Sequence, residues 1–233
     1  QILRNKANFD QIDVFHSTED LISSGLLNSI NNSQILLKGA RKYNFEKLVH
    51  SLENKTHRTQ LEVNLDALQH NLAYFKKDIG PETKLMVMVK AFAYGTGAIE
   101  IATLLQNSGV DYLTVAYTDE GVYLRKQGIF VPIMVMNPQI EEFDKLTENG
   151  LEPEIYSFEL LKAIDEYGTQ QGKNIKIHIK LDTGMKRLGF EATDITELSE
   201  NLTQMPHLWV ASILSHLAAA DSPQHADFTE EQI

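Results

Sequence analysis

"MVMVKAFAYGTG", residues 86–97, is the passage from which the fold is read. An apolar run reads as a strand, a lysine closes it, and Tyr94-Gly95-Thr96-Gly97 turns the chain toward a helix. The same succession recurs downstream. Strands are expected at LMVMV (85–89), YLTVA (112–116), PIMVM (132–136), PEIY (153–156), IKIHIKL (175–181) and LWVASIL (208–214). Helices are expected between them, near 98–107, 118–127, 140–149, 157–171 and 193–203. Repeating βα units with apolar strands imply a parallel sheet covered by helices. Six such units without a Gly-rich dinucleotide fingerprint predict an α/β fold of the (β/α)8 TIM-type barrel rather than a doubly wound sheet. Six strands do not close a barrel of eight, and residues 60–233 fall short of the ~250 typical of one, so a barrel truncated after about six strands is expected. Just upstream, LEVNL (61–65) alternates as a strand, and Asp66 is expected to open an amphipathic helix, ALQHNLAYF.

Residues 1–52 read as a separate piece. IDVF (12–15) is a strand candidate, Ser17 or Thr18 caps a helix through about Asn28, QILLK (34–38) is a second strand, and a helix follows around NFEKLVHSL. This βαβα, Rossmann-like unit is too small to stand alone as a parallel-sheet domain. ENKTHRTQ (53–60) is polar and reads as a linker, which leaves 61–233 as the barrel. The chain starts at Gln1 and stops at Ile233 inside DFTEEQI, so a piece of something longer is expected.

Composition narrows the function classes. The 233 residues are 42% hydrophobic and 23% charged, an ordinary globular balance. No apolar run approaches the ~20 residues of a membrane span, and the polar start is no secretory signal. The chain has no cysteine, which removes disulfides, thiol catalysis and Cys-based zinc sites and fits a cytoplasmic protein. A net charge of −11 argues against nucleic acid and anionic membranes as partners. An anionic small molecule would need a local positive site.

In barrels of this type the chemistry lies at the C-terminal ends of the strands. Lys90 ends the first strand, Asn137-Pro138 follow the third, Asp182-Thr183-Gly184 follow the fifth, and His216 lies just past the sixth. These polar residues are expected around one cavity. A lysine amine attacks a carbonyl only when neutral, its ordinary pKa is ~10.4, and partial burial lowers it, which suits a strand-end lysine to Schiff-base chemistry. The alternative is a lysine that snorkels to water. The glycines of the turn allow close backbone approach to a ligand, and Tyr94 offers a hydroxyl to an anion such as a phosphate. In the fifth strand Ile175, Ile177, Ile179 and Leu181 share one face, and Lys176, His178, Lys180 and Asp182 share the other. The apolar face should meet the helices and the polar face the barrel interior, where Lys180 and Arg187 would be like charges. A half-open, solvated strand is the alternative. His216, with Asp221 and His225, matches no metal-ligand spacing; it reads as hydrogen-bonded structure or as a catalytic group. No HExxH, P-loop or Ser-His-Asp signature occurs.

"VMVKAFAYGTG", "HIKLDTGMKRLGF" and "SHLAAAD", in this order and spacing, resemble the barrel domain of alanine racemase over roughly 56–233. Phe92 stands where a small polar or acidic residue is usual in that family, and Thr96 where His is usual. The resemblance implies pyridoxal 5'-phosphate bound through Lys90, with Tyr94 at its phosphate. It implies that Arg187 contacts the cofactor's phenolic oxygen and the carboxylate of alanine, and that His216 supports the pyridine ring. Lys180 is implied as a carbamylated lysine, which would turn its charge negative and pair it with Arg187. The resemblance also implies a homodimer in which the second base is a tyrosine of the partner subunit's C-terminal β domain, so the isolated segment is expected to be inactive.

Residues 1–52 carry a second resemblance. IDVFHSTEDLISSGLLNSINNSQILLKGARKYNFEKLV is similar to the C-terminal end of the ligase that adds D-alanyl-D-alanine to the UDP-muramoyl tripeptide, with Ala40 where that family usually has Ser. Together the two imply a bifunctional enzyme of peptidoglycan-precursor synthesis. Two rivals share the barrel: a non-enzymatic carrier of pyridoxal phosphate, which has no need of an arginine for a substrate carboxylate, and a pyridoxal-phosphate-dependent decarboxylase.

Overall fold

The computed structural model describes residues 12–30, 33–40, 43–52 and 61–233. The chain divides into two compact units, Gln1–Gln60 and Leu61–Ile233. The expected linker at 53–60 and the turn residues 31–32 lie outside the described residues.

The described part of the first unit is helical. Helix α1 (Thr18–Ser23) is capped by Ser17, whose side-chain oxygen accepts from the Asp20 amide at 3.0 Å. It ends five residues before the expected Asn28, because the Ser24 hydroxyl takes the Leu21 carbonyl and Gly25 turns left-handed at φ 74°. A 3-10 turn (Leu26–Ser29) follows, and α2 (Glu46–Leu52) buries Leu48. The expected strands at 12–15 and 34–38 are absent, which corrects the βαβα reading of this unit. A strand exists through its ladder, and neither segment pairs. Val14 is 77% exposed and Leu36 88%, so these strand-forming side chains gain little from burial.

The second unit carries a six-stranded sheet: β1 (Met86–Met88), β2 (Tyr112–Val115), β3 (Ile133–Val135), β4 (Leu151–Ile155), β5 (Ile175–Lys180) and β6 (Leu208–Leu214). The order is β1-β2-β3-β4-β5-β6 and every neighbouring pair is parallel. Strand order thus follows chain order throughout. A doubly wound sheet reverses at a switch point, whereas a barrel advances one strand at a time, so the topology is that of an open part of a (β/α)8 barrel. LEVNL (61–65) is not a strand: 61–64 pair with nothing, and the helix begins at Leu65. Its cap is Asn64, whose side chain accepts from Ala67 N at 3.0 Å, not Asp66.

Helix α3 (Leu65–Ile79) precedes the sheet. A short turn labelled α4 (Lys90–Tyr94), α5 (Ala98–Asn107), α6 (Thr118–Lys126), α7 (Phe143–Glu148), α8 (Phe158–Gln171) and α9 (Ile195–Thr203) lie between strands, and α10 (Ala226–Gln232) follows β6. The alternation expected of the fifth strand holds. Ile175, Ile177 and Ile179 are buried with Leu160, Leu161 and Ile164 of α8 and Leu198 of α9. His178 and Lys180 are buried on the interior face. A bulge opposite Ile177 and His178 leaves Ala211 of β6 unpaired and sets Ser212 against His178.

Turn α4 is not an ordinary helix. Ala91, Phe92, Ala93 and Tyr94 have φ of 52°, 54°, 53° and 57°. Each L-residue in that region costs roughly 1–2 kcal/mol, so the segment stores backbone strain. Left-handed hydrogen bonds hold it, among them Ala93 N to Val89 O at 3.0 Å and Gly95 N to Ala91 O at 2.9 Å.

Candidate active site

All six strands run the same way, so their C-terminal ends form one edge. Lys90 follows β1 by two residues and is half-buried. Val89 before it continues the ladder, donating to Thr114 O at 2.8 Å. Tyr94, at the end of the left-handed turn, is exposed. The carboxylate of Glu120, on α6, reaches this turn. Oε1 accepts from Ala91 N at 2.6 Å, and Oε2 accepts from Ala116 N at 2.7 Å and Tyr117 N at 3.2 Å.

At the end of β5 the loop through Arg187 returns to its own strand. Phe190 N donates to Lys180 O at 2.9 Å, and Asp182 N donates to Phe190 O at 2.9 Å. Gly189 makes the return possible: its φ is 126°, and a Cβ there would lie 2.6 Å from Asp182 N. The Asp182 carboxylate accepts from Lys186 N at 3.0 Å and Gly184 N at 2.9 Å. These backbone bonds, that from Lys186 first, hold its pKa below the usual carboxylate value. Arg187 itself is exposed.

Beneath this loop the barrel interior is charged. Glu154 is 2% exposed, and its register partner on β5 is His178, one interior position below Lys180. Burial pushes the Glu154 carboxyl up to about 7, against the pull of Lys180 and Arg187. Burial also lowers the Lys180 amine, with Glu154 opposing that shift and Arg187 adding to it. Arg187 and Glu154 thus act on the Lys180 charge in opposite senses, and burial outweighs both. Deeper still, His178 bridges three strands: Nε2 lies 3.0 Å from Glu152 Oε2 and Nδ1 lies 2.7 Å from Ser212 Oγ. Tyr112 OH donates to the same Glu152 oxygen at 3.2 Å, and Lys176 Nζ stands 3.7 Å from Oε1. Burial raises the Glu152 pKa, but the bond to His178 and the nearby cations outweigh it, so the net shift is downward.

His216, past β6, is exposed. Gln232 of α10, itself buried, ties its loop to the loop after β5. The Gln232 Nε2 donates to His216 O at 3.0 Å and to Thr183 Oγ1 at 3.2 Å, and Oε1 accepts from Ala218 N at 2.9 Å. Thr183 and Ser215 hydroxyls also bond directly.

Lys90, Tyr94, Lys180, Arg187 and His216 thus lie at or beyond the C-terminal ends of their strands, and among the described residues Tyr94 lines a hollow of about 670 Å3 with Met86, Val87 and Met88. A hollow of about 350 Å3 beside the left-handed turn is lined by Val89, Phe92, Glu120 and Tyr123. Another of about 480 Å3 is lined by Asp182, Thr183, Gly184 and Lys186. Six strands leave the sheet open between β6 and β1.

Residues 63–233 match the family model described as alanine racemase, N-terminal domain. An amino-acid racemase of Enterococcus faecalis is 40% identical over 185 residues, which cover 76% of this chain and 25% of that protein. An alanine racemase of Synechocystis sp. is 36% identical over 177 residues, covering 75% of this chain and 48% of the relative. The solved alanine racemase of Clostridium difficile 630 superposes with a TM-score of 0.69 at 35% identity, over 73% of this chain and 47% of that one. The chain therefore spans about half or less of the length of these relatives. The segment from residue 63 onward carries the strands, the edge and the residues described above, and through it the chain belongs to the alanine racemase N-terminal domain family.

Proposed function

We propose that this chain is the lysine-bearing barrel part of a pyridoxal 5'-phosphate-dependent alanine racemase. The observation that carries the reading is the placement of Lys90, Arg187 and His216 at one C-terminal edge of a parallel sheet whose sequence matches that family. The donor set fits the cofactor: an amine for its aldehyde, a phenol for its phosphate, a guanidinium for its phenolic oxygen, and an imidazole to back its ring. When bound, the cofactor supplies the electron sink that acidifies the α-hydrogen of an amino acid. Lys90 holds the cofactor and moves a proton on one face of the α-carbon. Arg187 orients the substrate carboxylate. Tyr94 donates to the phosphate, and His216 backs the ring. The proton on the opposite face falls to the partner subunit in a homodimer. A carbamate on Lys180 would replace its cation by an anion that pairs with Arg187. Arg187 also separates this reading from a non-enzymatic carrier.

The resemblance of residues 1–52 to the muramoyl-tripeptide ligase supports a bifunctional, cytoplasmic enzyme supplying D-alanine for peptidoglycan. The test is D-alanine formation from L-alanine by a protein carrying this segment at the full length of the matched relatives, with Lys90→Ala beside it. A loss of at least ~10³-fold is expected for the variant. Undiminished turnover by the variant overturns the assignment.

A further inference from the structure

We propose that Glu120 is the positioning residue for Lys90, acting through the left-handed turn; the role in chemistry rests on the function proposed above, while the role in the turn does not. Three observations meet at this side chain. Lys90 is followed by four consecutive non-glycine residues in the left-handed region, a strained conformation that persists only where the surrounding structure fixes it. The far end closes on itself, with Gly95 N bonded to Ala91 O and Gly97 N to Phe92 O at 3.1 Å. The near end is closed by Ala93 N on Val89 O at 3.0 Å, and the amide inside that closure, Ala91 N, the first after Lys90, goes to Glu120 Oε1 at 2.6 Å, from 29 residues away.

An acidic residue three positions into a helix ordinarily reaches back to its own N-terminal amide, and the 3.2 Å contact with Tyr117 N is of that kind. Capping explains neither the Ala91 contact nor the 2.7 Å bond to Ala116 N, the residue that follows β2. One carboxylate therefore ties the end of β1 to the end of β2 and fixes the peptide next to Lys90. Rotation of that peptide swings the Cα–Cβ bond of Lys90, and a long side chain magnifies the swing at its amine. Phe92 and Tyr123, edge to face with centroids 6.3 Å apart, flank the same hollow beside Glu120 and restrain the turn from outside.

The experiment uses this chain with Glu120→Gln, which keeps size and one carbonyl acceptor, and Glu120→Ala. Amide hydrogen exchange and backbone chemical shifts of residues 91–94 report the turn without any cofactor. Reductive trapping with pyridoxal 5'-phosphate and borohydride, read at Lys90 against the exposed Lys162 by peptide mapping, reports the amine. The expected result is exchange at Ala91 at least tenfold faster, loss of the left-handed shifts, and Lys90 labelling at least tenfold lower relative to Lys162, with shifts elsewhere in the sheet unchanged. An unchanged turn overturns the proposal, as does unchanged Lys90 labelling on a relaxed turn. If the unsubstituted chain takes no label at Lys90, the cofactor reading fails, and Glu120 is judged on the turn alone: shifts retained in both variants overturn it and shifts lost support it.

Discussion

Lys90 and Lys180 stand at two strand ends of one parallel sheet and are held by opposite means. Around Lys90 the backbone does the holding: four left-handed residues, their internal hydrogen bonds, and one carboxylate that binds amides. No ion pair joins Lys90 to another described residue. Around Lys180 the backbone is an ordinary strand and the amine is buried; burial lowers its pKa first, with Glu154 and Asp182 opposing that shift and Arg187 adding to it. The difference separates two ways of making a lysine useful. Strain aims an amine while leaving it open to a ligand; burial among charges makes an amine part of the floor beneath that ligand.

The charged side of this comparison breaks most visibly at His178. Replacing it by Ala empties a buried position and removes one partner each from Glu152 and Ser212, and a loss of about 2–4 kcal/mol is expected by urea denaturation. A loss below about 1 kcal/mol would mean that the interior is wet and the bridge idle. Next in size is the pH dependence of stability. The Glu154 pKa is raised from 4.5 to about 7, so between these values the native state binds the extra proton. Its contribution is fully present below about 4.5 and is lost as pH rises through about 7. The slope approaches on the order of 1 kcal/mol per pH unit within that window, and Glu154→Gln should flatten it. An unchanged profile would place Glu154 in contact with solvent.

The strained side responds with the other sign. Ala91→Gly should raise stability by up to about 1 kcal/mol, because glycine adopts φ 52° without penalty. The same exchange in an ordinary helix lowers stability by a similar amount. A destabilised variant, by thermal melting, would show that the turn is not left-handed in solution. Smallest is the clamp that joins the loops after β5 and β6. Gln232→Ala frees the Ala218 amide and should speed its hydrogen exchange about fivefold, an effect of about 1 kcal/mol. Unchanged exchange would remove Gln232 from the account.

The sheet was legible because its signals are local. Period-two alternation in IKIHIK told the interior face from the helix face without any partner strand. Segments 12–15, 34–38 and 61–64 show the limit of that signal. Alternation describes a strand once a ladder exists, and these segments have none. The site residues announced themselves by position at strand ends. Their supports did not, because Glu120, Glu152, Glu154 and Gln232 act across long sequence separations. The acidic alternation in LEPEI, read against the basic alternation in IKIHIK, was the available clue to the interior pairs. AFAY offered no clue to its left-handed turn, since none of its four residues is a glycine.

The account rests on Lys90, and not Lys180, being the lysine that takes the cofactor. Pyridoxal 5'-phosphate is added to the chain, the adduct is fixed with borohydride, and the modified peptide is sequenced. The label is expected on the peptide containing Lys90, with the one containing Lys180 unmodified, because the first residue is half-buried and the second is buried. A label on Lys180, or one spread evenly over the surface lysines, would contradict it.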